Sequence, residues 1–264
     1  MRSVSVIIPT YNRLGTLKRA IESVLAQDYP VSEIIVVNDR STDGTEAYLH
    51  SEPRVSFVTN ERNLGPQGSR NRGIAESGGE LIAFLDSDDI WKPEKLRLQM
   101  EAAGDRDEVC VTCGYQQFGA SGGFKQCPPA EIRMEMALIH NIIGPTSNIL
   151  ISRSLIEAVG IFDPAMPSCQ DWEFFVRVLE RQPILGVPQI LTYQDTGSGG
   201  RISNNIKRVV QGHQMLYQRT RSTRAFGALP FAQKSLVRLR QEYALLKRSF
   251  AGAGIQATKG KLAL

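Results

Sequence analysis

Leu81-Ile-Ala-Phe-Leu-Asp-Ser-Asp-Asp89 is five apolar residues running without a break into three carboxylates and a serine. An apolar run with no polar alternation reads as a strand buried on both faces. Upstream, the same strand-then-turn unit recurs. Val4–Ile8 is apolar and rich in β-branched residues, and Pro9 ends it. Thr16–Gln27 then places Leu17, Ile21, Val24 and Leu25 on one helical face. Ile34–Val37 is a second strand, followed by the turn-rich Asn38-Asp-Arg-Ser-Thr-Asp-Gly44 and a short helix over Thr45–Leu49. Val55–Val58 is a third strand and Gly68–Glu76 a third helix. Strands alternating with helices imply a parallel sheet, and right-handed crossovers gather the post-strand loops along one edge. Thr10-Tyr11-Asn12, Asp39 and Asp86–Asp89 are therefore expected side by side.

Beyond Pro93 the rhythm breaks. Lys95–Ala103 reads as helical, Val109–Phe118 as extended, Gly119–Gly123 as a turn, and Ser147–Ile151 as a return to the sheet. Asp171–Glu180 is an amphipathic helix with Trp172, Phe175, Val176 and Leu179 facing a core. Pro183 and Gly186 interrupt the stretch after that helix, and Gly197, Gly199 and Gly200 suggest a mobile loop. The expected division is 1–100, 101–205 and a basic helical tail over 206–264, with helices near Ile206–Arg219 and Ala232–Phe250. From Ile206 onward twelve cations face a single acid, Glu242, so the tail carries +11 and the preceding 205 residues must carry −7 to leave the net +4. Such a tail suits either an anionic membrane surface or a helical appendage with solvated basic faces. Tyr217, Phe226, Phe231 and Tyr243 form no stacking pattern, so nucleic acid is not expected as a partner.

Four cysteines in 264 residues are no disulfide scaffold. Cys110 and Cys113 sit in an extended run that points them to opposite faces, which argues against zinc. His50, His140 and His213 are isolated in sequence. No signal peptide is expected from the short Val4–Pro9 run, nor a membrane span, so the expected location is cytoplasmic, with peripheral attachment to the inner face of the membrane through the tail.

The carboxylates carry the chemistry. Asp86, Asp88 and Asp89 repel one another, and a divalent cation bridging to phosphate oxygens relieves this; a solvated helix-capping turn is the alternative. Asp39 can accept from the imide N–H of a uracil or thymine ring, or form an Asx turn. Tyr11 suits stacking on a base or plain packing. Asn63-Leu-Gly65 and Arg70-Asn-Arg-Gly73 surround a helix start suited to an anion or base edge. Asp171 in a first helical turn is either a dipole-complementing acid or a general base that takes the proton of a sugar hydroxyl.

The segments Val4–Arg13, Val36–Thr45, Asn63–Gly65, Arg70–Ile74, Phe84–Asp89 and Gln170–Glu173, in this order over residues 1 to 180, resemble the inverting glycosyltransferases of family 2. The resemblance implies the GT-A fold: α/β, a Rossmann-like mixed but mostly parallel sheet flanked by helices, here with a C-terminal helical extension. It implies that Pro9, Thr10 and Tyr11 cradle the base, that Asp39 and Arg70 bond to it, and that Asp86 holds the ribose. In the same way Asp88, in the family's Asp-x-Asp motif, ligates Mn²⁺ or Mg²⁺ and Asp171 is the catalytic base. The implied donor is a nucleotide-sugar, a UDP-sugar being expected, and the implied acceptor a saccharide or lipid-linked saccharide of cell-surface polysaccharide synthesis. Three positions depart from the family pattern: Asn38 for a frequent aspartate, Arg40 for glycine, and Gln170 for glutamate. None deletes an assigned group. A sugar nucleotidyltransferase would need a glycine-rich basic loop where Pro9-Thr-Tyr-Asn12 stands, and a non-catalytic binder would not need Asp171.

Overall fold

Every residue of strand β1 (Val4–Thr10) is buried, which only a sheet covered on both faces allows. The computed structural model describes residues 1–119, 123–138, 140–197 and 205–238. After β1 come α1 (Leu14–Leu25), β2 (Glu33–Asn38), α2 (Thr45–Ser51), β3 (Ser56–Thr59), α3 (Gly65–Glu76) and β4 (Leu81–Phe84). β1 lies parallel between β2 and β4, with Val6 opposite both Ile34 and Ala83, and β3 extends the sheet beyond β2. Alternate side chains serve two cores. Ile7, Ile35, Val37, Ile82 and Phe84 pack on one face with Ile74 of α3. Val6, Ile8, Val36, Ala83 and Leu85 pack on the other with Leu17 and Ile21 of α1. Each of these valine, leucine, isoleucine and phenylalanine side chains contributes about 1.5–3 kcal/mol by leaving water.

The second stretch adds β5 (Ile90–Trp91), α4 (Lys95–Ala103), β6 (Cys110–Phe118), β7 (Lys125–Gln126), β8 (Glu131–Ile132), α5 (Met134–Ala137), a 3₁₀ turn at Thr146–Asn148 and β9 (Leu150–Ser152). It continues with α6 (Arg153–Val159), α7 (Gln170–Arg181) and β10 (Ile184–Asp195). β9 runs antiparallel to both β4 and β6, and thereby joins the two stretches into one sheet of order β3-β2-β1-β4-β9-β6-β10-β5. The mixed, mostly parallel α/β architecture expected from the sequence is the one observed. Cys110 and Cys113 enter opposite cores, as their spacing in a strand requires.

One expectation is overturned: Pro183 and Gly186 do not interrupt the chain, because residues 184–195 form a twelve-residue strand. Gly186 is there for proximity. A Cβ on it would lie 2.0 Å from the Pro129 carbonyl oxygen, and its own N–H donates to the Ala130 carbonyl. Pro188, which has no N–H to give, falls where the register with β6 slips between Val187 and Ile190.

Two helices come next, α8 (Ile206–Arg221) and α9 (Arg224–Ala228), and residues 231–238 are helical. Leu216, Leu229 and Val237 join the core that contains Phe174 and Leu179 of α7. Gly199, Gly200 and the remainder of the helix expected over Ala232–Phe250 lie outside the described residues. Among the described residues no helix is long and apolar enough to cross a membrane.

Candidate functional site

The loops after β1, β2 and β4 meet at one edge of the sheet and are tied to each other. Asn38, wholly buried, accepts from the Ser41 N–H at 3.0 Å and donates to Thr59 Oγ1 at 3.3 Å. An asparagine does both where an aspartate can only accept, so this departure from the family pattern is used by the fold. Asn12, in the left-handed region at φ 51°, donates its N–H to Ser41 Oγ (2.9 Å) and accepts from Thr42 N–H (2.7 Å). Asp43 accepts from Thr45 N–H and Oγ1 and from Leu14 N–H, capping α1 and α2 together. Burial pushes its carboxyl up, but these hydrogen bonds outweigh that and hold it below the ordinary aspartate range.

Asp39 is buried (3% exposed) at the end of β2. Its Oδ1 accepts from Asn60 Nδ2 (2.9 Å) and Leu64 N–H (2.8 Å), and its Oδ2 from Gly65 N–H (2.8 Å). The turn role falls to Asn38. Asp39 instead pins the start of α3 to the sheet. One turn into α3, the buried Arg70 guanidinium pairs with Asp86, which follows β4, and sits 5.6 Å over the Phe162 ring. Arg13, just past β1, donates to Asp88 Oδ2 at 2.7 Å. Asp89 points inward, accepting from Ser147 Oγ (2.6 Å) and Asp195 N–H (3.2 Å). Burial, then the neighbouring charges of Asp86 and Asp88, push its carboxyl well above the ordinary range.

Asp171 is the second residue of α7 and closes the far side. Its Oδ1 accepts from Trp172 N–H (2.8 Å) and its Oδ2 from Asn141 Nδ2 (3.4 Å). Burial raises its pKa; Arg70 opposes this and Asp86 adds to it, so Asp171 shares the field of the Arg70–Asp86 pair. Tyr115 of β6 feels the same carboxylate: burial and the Asp171 charge push its phenol up to about 12. The rim is thus continuous from Asp39 through α3, Arg70 and Asp86 to Asp171.

Two further observations mark this rim. Buried polar atoms with no protein partner are rare, and of the five such side-chain atoms among the described residues, Thr10 Oγ1, Arg70 Nε and Gln170 Nε2 lie here. Among the described residues, the non-glycine ones at positive φ are Asn12, Arg40 and Cys169, in the loops after β1 and β2 and just before Asp171. Strained backbone of this kind concentrates where sites are held in shape. Pro9 is buried in β1, whereas Tyr11 is 48% exposed, so packing does not occupy its ring. His213, isolated in sequence, has its Nδ1 3.3 Å from Cys169 Sγ.

For a divalent cation the donor set is apt. Asp86 and Asp88 offer hard oxygens, each carboxylate already paired with one guanidinium, Arg70 and Arg13 respectively. Among the described residues no group of three or more His, Cys, Asp or Glu is placed to hold a metal ion by itself. A cation held here would have to take one or two carboxylates and draw its other ligands from a bound phosphate.

Sequence reasoning alone does not single out Arg13, Asn141 or Ser147. Arg13 stands in view inside the first motif but carries no role assigned from the pattern. Asn141 and Ser147 lie in a stretch with no periodicity.

Residues 5–160 match the family described as Glycosyl transferase family 2. The putative teichuronic acid biosynthesis glycosyltransferase TuaG of Bacillus subtilis is 38% identical over 149 residues, covering 53% of this chain and 59% of TuaG. The chain spans 29%, 18% and 59% of the length of the first curated relatives it matches. In solved structures, S. aureus TarS 1-349 in complex with UDP-GlcNAc superposes with TM-score 0.68 at 19% identity, over 95% of this chain and 73% of that one. The mannosyltransferase PcManGT from Pyrobaculum calidifontis, in complex with GDP-Man and Mn²⁺, gives 0.69 at 20% identity, over 98% and 76%. At these identities the likeness is one of fold.

Proposed function

The chain belongs to glycosyl transferase family 2, and from that premise we propose that it moves a sugar from a nucleotide diphosphate donor to an acceptor hydroxyl with inversion. The observation that carries the reading is the continuous rim, on which Asp39, Arg70, Asp86 and Asp171 come together from four separate segments. In this reading Pro9, Thr10 and Tyr11 receive the base, with the exposed Tyr11 ring free to stack and the unpartnered Thr10 hydroxyl free to bond. Asp39 has three protein donors on four acceptor positions, which leaves room for one N–H of a base. Uracil, thymine and guanine all offer such an N–H, so a UDP-sugar is the expected donor and a GDP-sugar the competing one. Asp86, steadied by Arg70, accepts from the ribose hydroxyls.

Asp88 would hold Mn²⁺ or Mg²⁺, and such a cation supplies charge neutralisation for the departing diphosphate. Asp171 takes the proton from the acceptor hydroxyl as it attacks the anomeric carbon from the face opposite the diphosphate. Its burial raises its proton affinity, which suits a base that must work on a weakly acidic alcohol. TuaG's name and the basic tail support a saccharide or lipid-linked acceptor in surface polysaccharide synthesis. Lys207, Arg208, Arg221, Arg224 and an 85% exposed Phe231 support contact with an anionic membrane.

A thermal-shift panel of UDP-, dTDP- and GDP-sugars with Mn²⁺ identifies the donor. With that donor, Asp88→Ala loses the metal-dependent shift, while Asp171→Asn keeps the shift and does not turn over. Full turnover by Asp171→Asn removes the base assignment.

A further inference from the structure

The loop over residues 140–148 does more than cross from α5 to β9. Asn141 Oδ1 accepts from Ile143 N–H (3.2 Å) and Gly144 N–H (3.1 Å). Both partners are donors, so the amide has one admissible orientation, with its NH₂ turned the other way. That NH₂ donates to Gly144 O (3.1 Å) and to Asp171 Oδ2 (3.4 Å). The loop that carries it is fastened at its base. Gly144 sits at φ 92°, where a Cβ would fall 2.5 Å from Asn148 Nδ2 and 3.1 Å from the Tyr115 ring. Asn148, fully buried, donates to Cys113 O on β6 (3.0 Å), and Gln99 of α4 donates to Asn148 O (2.7 Å).

From this geometry we propose that Asn141 is a positioning residue for Asp171: its locked amide donates to the ionised carboxylate and fixes the rotation of the oxygen that receives the acceptor proton. The catalytic part of this rests on the base reading given under Proposed function. Among the described residues, Arg70 on α3, Asp86 after β4 and Tyr115 on β6 are charged or titratable groups whose electrostatics couple to Asp171. Arg70 favours the ionised carboxylate, and Asp86 and burial disfavour it. Asn141 adds a neutral donor on the ionised side of that balance, from a segment outside every family motif in this chain.

The test reads the carboxylate directly. Protein labelled with ¹³C at aspartate Cγ is titrated by NMR, and the Asp171 resonance is assigned by its loss in Asp171→Asn. Asn141→Asp keeps an acceptor for Ile143 and Gly144 but replaces the donor with a carboxylate oxygen; Asn141→Ala removes both. The Asp171 midpoint should move up by about one pH unit in Asn141→Ala, tenfold in proton affinity, and further in Asn141→Asp. With the donor found by the thermal-shift panel, kcat should fall at least tenfold below the new midpoint while KM for the donor is unchanged. A midpoint that stays put in Asn141→Asp, with Tm within a degree of wild type, overturns the proposal. Failure of the base reading shows differently: Asp171→Asn would turn over at the wild-type rate while the midpoint still moved in the Asn141 variants.

Discussion

Glu173, two residues after Asp171, is 1% exposed and lies between two guanidinium groups. Arg177, one turn on, grips it with two bonds, Nε to Oε1 at 3.0 Å and Nη2 to Oε2 at 2.9 Å. Arg219 of α8 pairs with Oε1 from the other side. Arg177 is itself only 15% exposed and also donates to the carbonyls of Val159, Gly160 and Ile161. Glu173→Ala therefore strands a buried cation, and removing one partner of a buried pair costs about 3–5 kcal/mol. Against a total stability on the order of 5–15 kcal/mol, that is a large fraction. Arg219→Ala costs less, about 1 kcal/mol, because Arg219 is 42% exposed and Glu173 keeps its bidentate partner. Urea unfolding followed by tryptophan fluorescence measures both, since Trp172 sits beside the triad on α7. The midpoint should drop sharply for Glu173→Ala, slightly for Arg219→Ala, and the double variant should be no worse than Glu173→Ala alone. A Glu173→Ala loss under about 1 kcal/mol refutes the reasoning, because the remaining guanidinium would then have found water at negligible cost.

Three other outcomes are expected. Asp171→Asn should lose about 10²–10⁴ in transfer rate yet melt no lower than wild type at neutral pH. Burial makes the folded state bind that proton more tightly than the unfolded chain, so the stability it contributes is present at low pH and lost as pH rises through the raised pKa; differential scanning calorimetry at about pH 4, near the unfolded aspartate value, and at about pH 8 should show the variant gaining on wild type at the higher value. Gly186→Ala should destabilise by about 1–3 kcal/mol, since its Cβ meets a backbone oxygen at 2.0 Å rather than a mobile side chain; an unchanged melting temperature would mean that residues 128–130 shift freely. Arg40→Gly should stabilise by under about 1 kcal/mol, by relieving a left-handed residue at φ 67°, and a lower melting temperature by circular dichroism would refute this.

Strands β1, β2 and β4 are legible because a parallel sheet covered on both faces needs unbroken apolar runs, and Val4–Ile8, Ile34–Val37 and Leu81–Leu85 supply them. The meeting of the post-strand loops follows from handedness alone. Less visible is anything decided by distant partners. Pro183 and Gly186 read as breakers because local rules have no knowledge of Pro129, against which Gly186 packs within the strand. Asp39 reads as a turn residue or a base ligand, and its grip on the Leu64 and Gly65 amides lies 25 residues away in sequence. Arg40 reads as added bulk in a turn; the backbone there keeps the left-handed conformation that glycine favours. Asn141 gives no signal at all, being a lone amide in an irregular stretch whose meaning depends on a helix that begins 29 residues later.

The way α8 seats itself bears on how this polypeptide is handled at the bench. Leu216, Leu229 and Val237 plug a hollow beside α7, and Arg219 reaches the carboxylate two positions from Asp171. Trimming the gene at the glycines near 197–200, an obvious place to cut for crystal growth or for grafting the sheet onto another scaffold, would unroof that hollow and leave α7 half bare. A trimmed version meant to stay folded should keep α8, α9 and Val237, and chimeras that exchange tails between relatives should carry the matching α7 with them.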